Sequence, residues 1–347
     1  MKSKRWLTLT VVAIVLLALA YIQFRTWRHF NWEAFRSYFA SASKLHLLLG
    51  LLVIYFDYYL RAWRWKVLTR PAKRVSALAL LPSQVIGFTA IALLGRPGDL
   101  VRPYLVAKRE GLPLSAQMAV LAVERVFDIG CFAILLLATL LFSTSLQSLP
   151  QYGMFRWVSF LLLVGVLVAA LLLVMLWRSG DAIASWTEKR IAKRWPHLSE
   201  SICHKITQFS NGLHTIHDAR SLLQIFGVSM LIWLLIAVAY TQVTHAYANP
   251  VLRGMAIPQV VLLMCASIAG SLLQLPMVGG GSQLGTIAVL ERVFRIENHE
   301  LAASCGIMLW LITFMSIVPV GLIWARFEHL NLREVSAESE AAEAAEV

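Results

Sequence analysis

The stretch Leu94-Gly95-Arg96-Pro97-Gly98-Asp99-Leu100-Val101-Arg102-Pro103 places charged and helix-breaking residues inside a chain that is otherwise strongly apolar. Its glycines and prolines predict an irregular turn. Roughly twenty residues later, the apolar run 114–142 carries Glu124, Arg125 and Asp128. Ionisable groups inside a membrane helix cost several kcal/mol each unless they are paired or face water, which makes these residues candidates for a functional site.

The composition of the whole chain predicts a membrane protein. Hydrophobic residues make up 59% of the sequence, charged residues only 14%, and the mean hydropathy is +0.68. Soluble domains carry roughly 25% charged residues. These values exclude an ordinary cytosolic protein and favour an all-α polytopic membrane protein, since about 20 apolar residues in a helix cross the hydrocarbon core.

Apolar runs of that length recur along the chain, and two of them are interrupted. We expect six full transmembrane helices, at residues 7–24, 45–62, 114–142, 157–177, 221–245 and 301–325. The first run is longer than the apolar region of a signal peptide, which favours an uncleaved anchor. The run 75–95 is broken by Pro82, Gly87 and the quoted turn, and the run 257–294 by Pro276 and the glycines 279–281.

Loop charges predict the orientation of these segments. The loops 61–74 and 178–220 hold six and seven Lys or Arg residues, whereas 143–156 and 244–256 hold one each. Basic loops face the cytoplasm, so both termini are expected there, with 178–220 as a basic amphipathic loop. The two interrupted segments must then each enter and leave on one side. This predicts two oppositely oriented re-entrant segments in an inverted repeat, unless 75–95 crosses fully and inverts the order from there to the second interruption.

The charged residues of the first half suit an anion. Arginine grips phosphate through a planar fork of donors, which makes Arg96, Arg102 and Arg125 candidate ligands for a lipid head group. Glu124 and Asp128 lie four residues apart on one helical face, where they can neutralise Arg125 or bind a cation. The competing interpretation is a structural lattice of ion pairs. Asp57 and Arg61, one turn apart in the second span, are interpreted as an interfacial ion pair.

At these residues the chain resembles the transmembrane flippase region of the lysylphosphatidylglycerol synthases and its stand-alone relatives, over about residues 8–327. That family has a Pro/Gly turn with an acidic residue and an arginine, then a helix with a Glu-Arg…Asp pattern. The matching residues are Arg96, Pro97, Gly98, Asp99 and Arg102, then Glu124, Arg125 and Asp128. In the second half the matching residues are Pro276, Gly279, Gly280, Gly281 and Glu291.

The resemblance implies a single integral-membrane, flippase-like domain over 1–333, in a bacterial-type inner membrane. It implies translocation of a polar or anionic head group, with a phospholipid or polyprenyl-linked lipid as the partner molecule. The stand-alone form, without the soluble aminoacyl-transferase domain, is expected, and the acidic tail 334–347 is expected to be disordered or a frayed helix. The head-group-binding residues implied are Arg96, Asp99, Arg102, Glu124, Arg125, Asp128, Gly279, Gly280, Gly281 and Glu291.

Two other functions fit the same residues. A membrane glycosyl- or lipid-transferase could use Asp99, Glu124 and Asp128 as acid and base groups, and a non-catalytic partner of a cell-envelope enzyme needs no site chemistry. No Walker, Rossmann, GxSxG or HExxH pattern occurs in a credible context, so we expect no cofactor, no metal and no catalytic residue.

The net charge of the chain is +12. Its basic residues lie next to the membrane spans instead of forming one basic domain, which argues against nucleic-acid binding. A homo-oligomer remains compatible with the sequence.

Overall fold

All the elements in a computed structural model of the chain, which describes residues 30–191, 219–271 and 280–345, are helical. The prediction of an all-α protein is confirmed for these ranges. The α-helices are supplemented by a 3-10 turn, Arg96–Leu100, and by a π-helical turn, Leu311–Met315. The helices are α1 Trp32–Ser41, α2 Lys44–Thr69, α3 Ala77–Leu94, α4 Val101–Glu110, α5 Leu114–Phe142, α6 Thr144–Gln147, α7 Tyr152–Ile191, α8 Ala219–His245, α9 Pro250–Arg253, α10 Ile257–Ser271, α11 Gly281–Arg292, α12 His299–Trp310, α13 Ile317–Phe327 and α14 Leu332–Ala345.

Six stretches are long and apolar enough to cross a membrane. They are Lys44–Thr69, Ala77–Leu94, Leu114–Phe142, Tyr152–Leu172, Arg220–His245 and His299–Phe327. Five of them contain or overlap spans predicted from the sequence, and the predicted span 7–24 lies outside the described residues. Many large apolar side chains of the helix α7 are exposed on the protein surface, as expected for a helix that faces lipid. The chain is therefore a multi-pass membrane protein.

The helix α3 differs from the prediction that Pro82 and Gly87 break the run 75–95. It is continuous from Ala77 to Leu94, with Pro82 inside it, and ends at Gly95, whose φ is +72°. Pro82 is the sixth residue of the helix, so the hydrogen bond it cannot donate is one near the start. At the N-terminus the Ser76 hydroxyl accepts a hydrogen bond from the Ala79 amide at 3.1 Å. The interruption is therefore confined to the turn after α3.

Gly87 serves the packing of α4 against α3. A Cβ atom built on Gly87 would lie 2.6 Å from the Cβ of Arg102, closer than real Cβ contacts allow. The missing side chain lets Arg102 lie directly against the α3 backbone. This approach sets the position of the buried Arg102 guanidinium described below.

We expect the substitution Gly87→Ala to destabilise the protein by about 1–3 kcal/mol, the usual cost of inserting a methyl group into a packed contact. Thermal unfolding in detergent measures the change. Gly165→Ala in α7 is the matched control, because a Cβ atom there would meet nothing within 4 Å. Equal melting temperatures for the two variants would contradict the proposed role of Gly87.

The second interrupted segment consists of α10 and α11, which pack closely on each other. A Cβ atom on Gly285 would overlap the backbone of Ala266, and one on Gly270 would overlap the backbone of Gly281. The break expected at Pro276 to Gly281 falls mainly at residues 272–279, outside the described ranges. The structure gives the two helices on either side of this break, and α11 begins at Gly281.

The acidic tail, for which disorder or a frayed helix was expected, is helical over most of its length. The helix α14 covers Leu332–Ala345, and Val335 on it is buried in a cluster with apolar residues of α3, α4 and α13. The Glu338 carboxylate accepts hydrogen bonds from the Tyr104 hydroxyl at 2.9 Å and from the Lys108 ammonium at 3.2 Å. These contacts hold α14 against α4, although its sequence offers few apolar side chains for burial.

The contacts of Glu338 predict a pH dependence of the α14 docking. Hydrogen bonds from Tyr104 and Lys108 lower the pKa of Glu338 below its ordinary 4.5. A depressed pKa gives a stabilising contribution that is present above pH 4.5 and is lost as the pH falls through the lowered value. We expect hydrogen-exchange protection of residues 332–345, corrected for intrinsic rates, to decrease below pH 4.5. Glu338→Gln should reduce it already at neutral pH, and an unchanged Gln variant would contradict the contact.

Candidate functional site

A cavity of about 880 Å³ lies inside the helical bundle and is reached by both Gly-containing breaks. Gly95 and Asp99 border it from the first break, and Gly280, Gly281 and Gln283 border it from the second. The helices α2, α3, α8 and α10 and the π-helical turn complete its walls. Two segments that lie far apart in the sequence therefore meet at one site.

The lining of this cavity is amphipathic. Among the described residues that line it, the charged groups are Asp57, Arg61 and Asp99, and the others are aromatic, aliphatic or hydroxyl-bearing side chains, glycines and the Gln283 amide. Ligand sites commonly combine a mostly apolar wall with a few placed polar groups. Such a lining suits a molecule with one charged group and an apolar body.

Asp57 and Arg61 form an ion pair on the cavity wall. The Arg61 Nε donates to Asp57 Oδ2 at 2.7 Å, and the Arg61 guanidinium lies over the Phe88 ring at 5.0 Å. The side chains are 12% and 4% exposed for Arg61 and Asp57. The sequence predicted the pair correctly, but its interfacial interpretation missed the cavity. The signal was an i, i+4 pair of opposite charges inside an apolar span.

Each partner keeps unused hydrogen-bonding capacity. Asp57 Oδ1 is buried and, within the described ranges, has no hydrogen-bond partner. In the same part of the chain, no hydrogen bond joins the two terminal nitrogens of Arg61 to another residue. A buried polar atom without a partner carries a free-energy cost, and such atoms occur where a ligand or water completes the site.

Glu124 is the centre of a second, sealed ion-pair network. Its carboxylate accepts a hydrogen bond from Trp65 Nε1 at 2.7 Å and pairs with Arg102, whose Nη2 lies 2.7 Å from Glu124 Oε2. Arg64 also binds Glu124, and its Nη1 lies 2.5 Å from Asp128 Oδ1. Arg64, Arg102 and Glu124 are each 0% exposed. Two arginines thus neutralise two carboxylates inside the protein.

Aromatic and polar groups complete this network. The Arg102 guanidinium lies 4.9 Å from the centroid of the Trp65 ring and 4.8 Å from that of Phe88. It also donates to Gln84 Oε1 at 3.2 Å, and Arg64 donates to the Ser229 hydroxyl at 2.8 Å. Phe88 contacts the cations of both the network and the cavity pair. The network joins α2, α3, α4, α5 and α8.

Arg125 pairs with a different carboxylate from the one that its spacing suggested. Its Nη2 lies 2.5 Å from Asp99 Oδ1, and the two side chains are 41% and 39% exposed. Asp128, three residues after Arg125, is instead held by Arg64. The predicted cluster therefore divides: Asp99 lines the cavity and holds Arg125 in an ion pair, whereas Arg102, Glu124 and Asp128 lie in the sealed network. Sequence reasoning missed Arg64, which lies in a predicted cytoplasmic loop.

The remaining predicted site residues have separate positions. Gly280 and Gly281 border the cavity, whereas Gly279 and the Arg96 side chain lie outside what the structure describes. Glu291 lies ten residues after Gly281 in α11, about 15 Å along the helix, and pairs with His299. The structure thus does not bring Glu291 to the cavity.

Within the described ranges, no group of three His, Cys, Asp or Glu side chains could hold a metal ion.

A second cavity, of about 780 Å³, adjoins the first. Leu93 and Leu94 at the end of α3 border both cavities. The second one is otherwise lined by the segment around the end of α13, including Leu322, Arg326 and His329. A thin apolar wall therefore separates the central cavity from a groove with basic residues at its edge.

One known protein family matches the part of the chain that contains nearly all of these features. The family described as Lysylphosphatidylglycerol synthase TM region matches residues 6–321 of the 347-residue chain. The chain belongs to this family. A search of curated proteins and a search of solved structures each found no match. The resemblance predicted from the two turns and the Glu-Arg…Asp helix is confirmed.

The residues that border the central cavity from the two breaks lie inside the matched range, and so do all residues of the Glu124 network. They are therefore features of the lysylphosphatidylglycerol synthase TM region as this chain forms it. The close contact of α3 with α13, where a Cβ atom on Gly321 would overlap Thr89, also lies within that range. The helix α14, which docks on α4, lies beyond it.

Proposed function

We propose that this protein is a lipid translocase, which moves a polar or anionic phospholipid or polyprenyl-linked head group across a bacterial-type inner membrane. The observation that carries this proposal is the central cavity, which presents a few charged groups in an apolar wall between the two breaks. A head group that enters the cavity would replace its hydrating water with contacts to these polar groups, while its tails remain in the lipid.

Arg61 is the ligand best placed for a phosphate. It is always charged, it lines the cavity, and its two terminal nitrogens form no hydrogen bond with another described residue. A guanidinium can bind two phosphate oxygens with parallel hydrogen bonds, and such charge-assisted bonds are about twice as strong as neutral ones. Gly280 and Gly281, which also line the cavity, offer backbone that a head group can approach closely.

The Glu124 network has a supporting role in this proposal. Arg64 lies one turn after Arg61 on α2, and it is held by Glu124, Asp128 and Ser229. These bonds fix the rotation of α2 and hence the direction of Arg61. Arg102, Glu124 and Asp128 then act through positioning and not through contact with the lipid.

The second cavity offers a route for the lipid. Its edge carries Arg326 and His329, whose side chains form no hydrogen bond or ion pair with another described residue, and Leu93 and Leu94 separate it from the central cavity. A lipid could enter through this apolar wall with its phosphate near the basic residues. Apolar side chains can be displaced without breaking hydrogen bonds, which suits a gate.

The oppositely oriented re-entrant segments and the inverted repeat belong to the same proposal, as do cytoplasmic termini. Discontinuous helices that meet at a central site are a recurring feature of transporters. Maleimide labelling of an Arg96→Cys variant in intact cells tests the orientation. Labelling from the outside alone would contradict a cytoplasmic first turn.

Purified protein in phosphatidylcholine vesicles with tail-labelled fluorescent phosphatidylglycerol provides the test of translocation. If the protein moves this lipid, dithionite added outside should bleach label that begins in the inner leaflet, faster than in protein-free vesicles. The same assay with labelled phosphatidylcholine compares an anionic with a zwitterionic head group. No acceleration for any tested lipid, with turnover of a lipid-linked sugar donor in detergent, would favour a transferase instead.

A further inference from the structure

Asp57 is a buried acid in the cavity wall that lipid binding alone does not explain. It is 3% exposed, one of its oxygens is held by Arg61, and the other, Oδ1, has no partner within the described ranges. Carboxylates inside transporters commonly carry protons.

Binding of a phosphate to Arg61 would change the charge balance of the cavity. In the empty cavity Asp57 and Arg61 neutralise each other at 2.7 Å, and Asp99 is neutralised by Arg125 at 2.5 Å. A phosphate monoanion bound to Arg61 would give the cavity one net negative charge next to the Asp57 carboxylate. Burying an uncompensated charge is strongly unfavourable, and a proton on Asp57 removes it.

We infer that the protein couples lipid movement to protons: a proton binds Asp57 Oδ1 as Arg61 turns from Asp57 to the phosphate of a monoanionic lipid. The proton comes from the aqueous phase on the loading side and leaves to the other side when the lipid leaves. Both the empty and the loaded cavity are then neutral. This inference rests on the proposed translocation and adds its energy source and the charge of its substrate.

The surroundings of Asp57 leave few other groups to take this role. Arg61 and Arg64 of its own helix and Asp128 of α5 are its charged neighbours, and Arg64 and Asp128 bind each other at 2.5 Å. The 3-10 turn contributes Asp99, which Arg125 already binds. The other described side chains that line the cavity are uncharged, and they include Tyr58, Trp233, Tyr240, Ser267 and Gln283.

The inference predicts electroneutral symport. One proton and one phosphate monoanion carry no net charge, so a pH gradient should drive net lipid movement and a membrane potential alone should not. The lipid should accumulate in the leaflet on the alkaline side. A potassium gradient with valinomycin supplies the potential without the pH difference.

The experiment uses the full chain in vesicles that contain labelled phosphatidylglycerol and an internal pH dye. Wild-type protein should shift the lipid toward the alkaline leaflet and move protons with it, whereas Asp57→Asn should show no response to the pH gradient. Glu297→Gln, an exposed carboxylate away from the cavity, is the matched control and should respond like the wild type. Size-exclusion profiles in detergent check that each variant is folded.

Three outcomes overturn the inference in distinguishable ways. If the wild-type protein moves lipid independently of the pH gradient, the translocase proposal stands and the proton coupling is excluded. A gradient response that persists in folded Asp57→Asn removes Asp57 as the proton carrier. Absence of any lipid movement overturns the proposed function, and the coupling with it.

Discussion

Replacing Glu124 with alanine is expected to destabilise the folded protein by about 3–5 kcal/mol, the cost of removing one member of a buried ion pair. The Glu124 carboxylate binds Arg64, Arg102 and the Trp65 indole, all of which are 0% exposed. Without it, two buried guanidinium groups share the single charge of Asp128. Unfolding in detergent, followed by tryptophan fluorescence against denaturant, measures the loss.

Two further variants make this prediction specific. Glu124→Gln retains an acceptor for Trp65 but loses the charge, so its stability should lie between those of the wild type and Glu124→Ala. Arg125→Ala, at the next position, breaks an ion pair with 41% and 39% exposed side chains and should cost about 1 kcal/mol or less. Similar losses for Glu124→Ala and Arg125→Ala would contradict a sealed network centred on Glu124.

Replacing Arg61 with alanine is expected to reduce translocation of labelled phosphatidylglycerol by at least about 30-fold. Truncating one partner of a buried, hydrogen-bonded charge pair costs roughly 2 kcal/mol or more, and each 1.4 kcal/mol is about tenfold. Arg61→Lys keeps the charge but loses the planar fork, so it should recover only part of the rate. Initial bleaching rates in the vesicle assay provide the measurement.

The controls for Arg61 separate binding from folding. Arg61→Ala leaves the Asp57 carboxylate buried without its counter-charge, so the double variant Asp57→Asn/Arg61→Ala restores neutrality and should fold but not transport. Lys66→Ala removes an exposed cation from the same helix and should transport like the wild type. A folded Arg61→Ala protein with a wild-type rate would remove Arg61 as the phosphate ligand.

These two predictions distinguish the roles of two groups of charges only a few residues apart. Arg61 and Arg64 lie on adjacent turns of α2, yet Arg61 lines the cavity and Arg64 is enclosed by carboxylates. A change at Arg64 or Glu124 should affect stability first, and a change at Arg61 should affect transport first. The proposed mechanism depends on this division.

Much of the fold follows from the sequence because helix-forming apolar runs are a local property. Hydropathy alone identified five of the six long apolar helices, and the charged turn after Leu94 was placed correctly by its glycines and prolines. The sixth was predicted as an interrupted segment. Pro82 and Gly87 were misread, since the former is tolerated near the start of a helix and the latter serves the contact with Arg102. The docking of α14 on α4 was not predicted, because it depends on contacts with Tyr104 and Lys108 that the tail sequence alone does not reveal.

The sequence by itself determined that this is a helical membrane protein of the lysylphosphatidylglycerol synthase TM family, with charges concentrated around Asp99 and Glu124. Only the tertiary structure decided which charges meet. Arg64, separated from Glu124 by 60 positions, takes the partners that local spacing assigned to Arg125. Helical periodicity gives the face on which a side chain lies, whereas an ion pair between helices depends on how those helices pack, and that packing is set by residues distant in the chain.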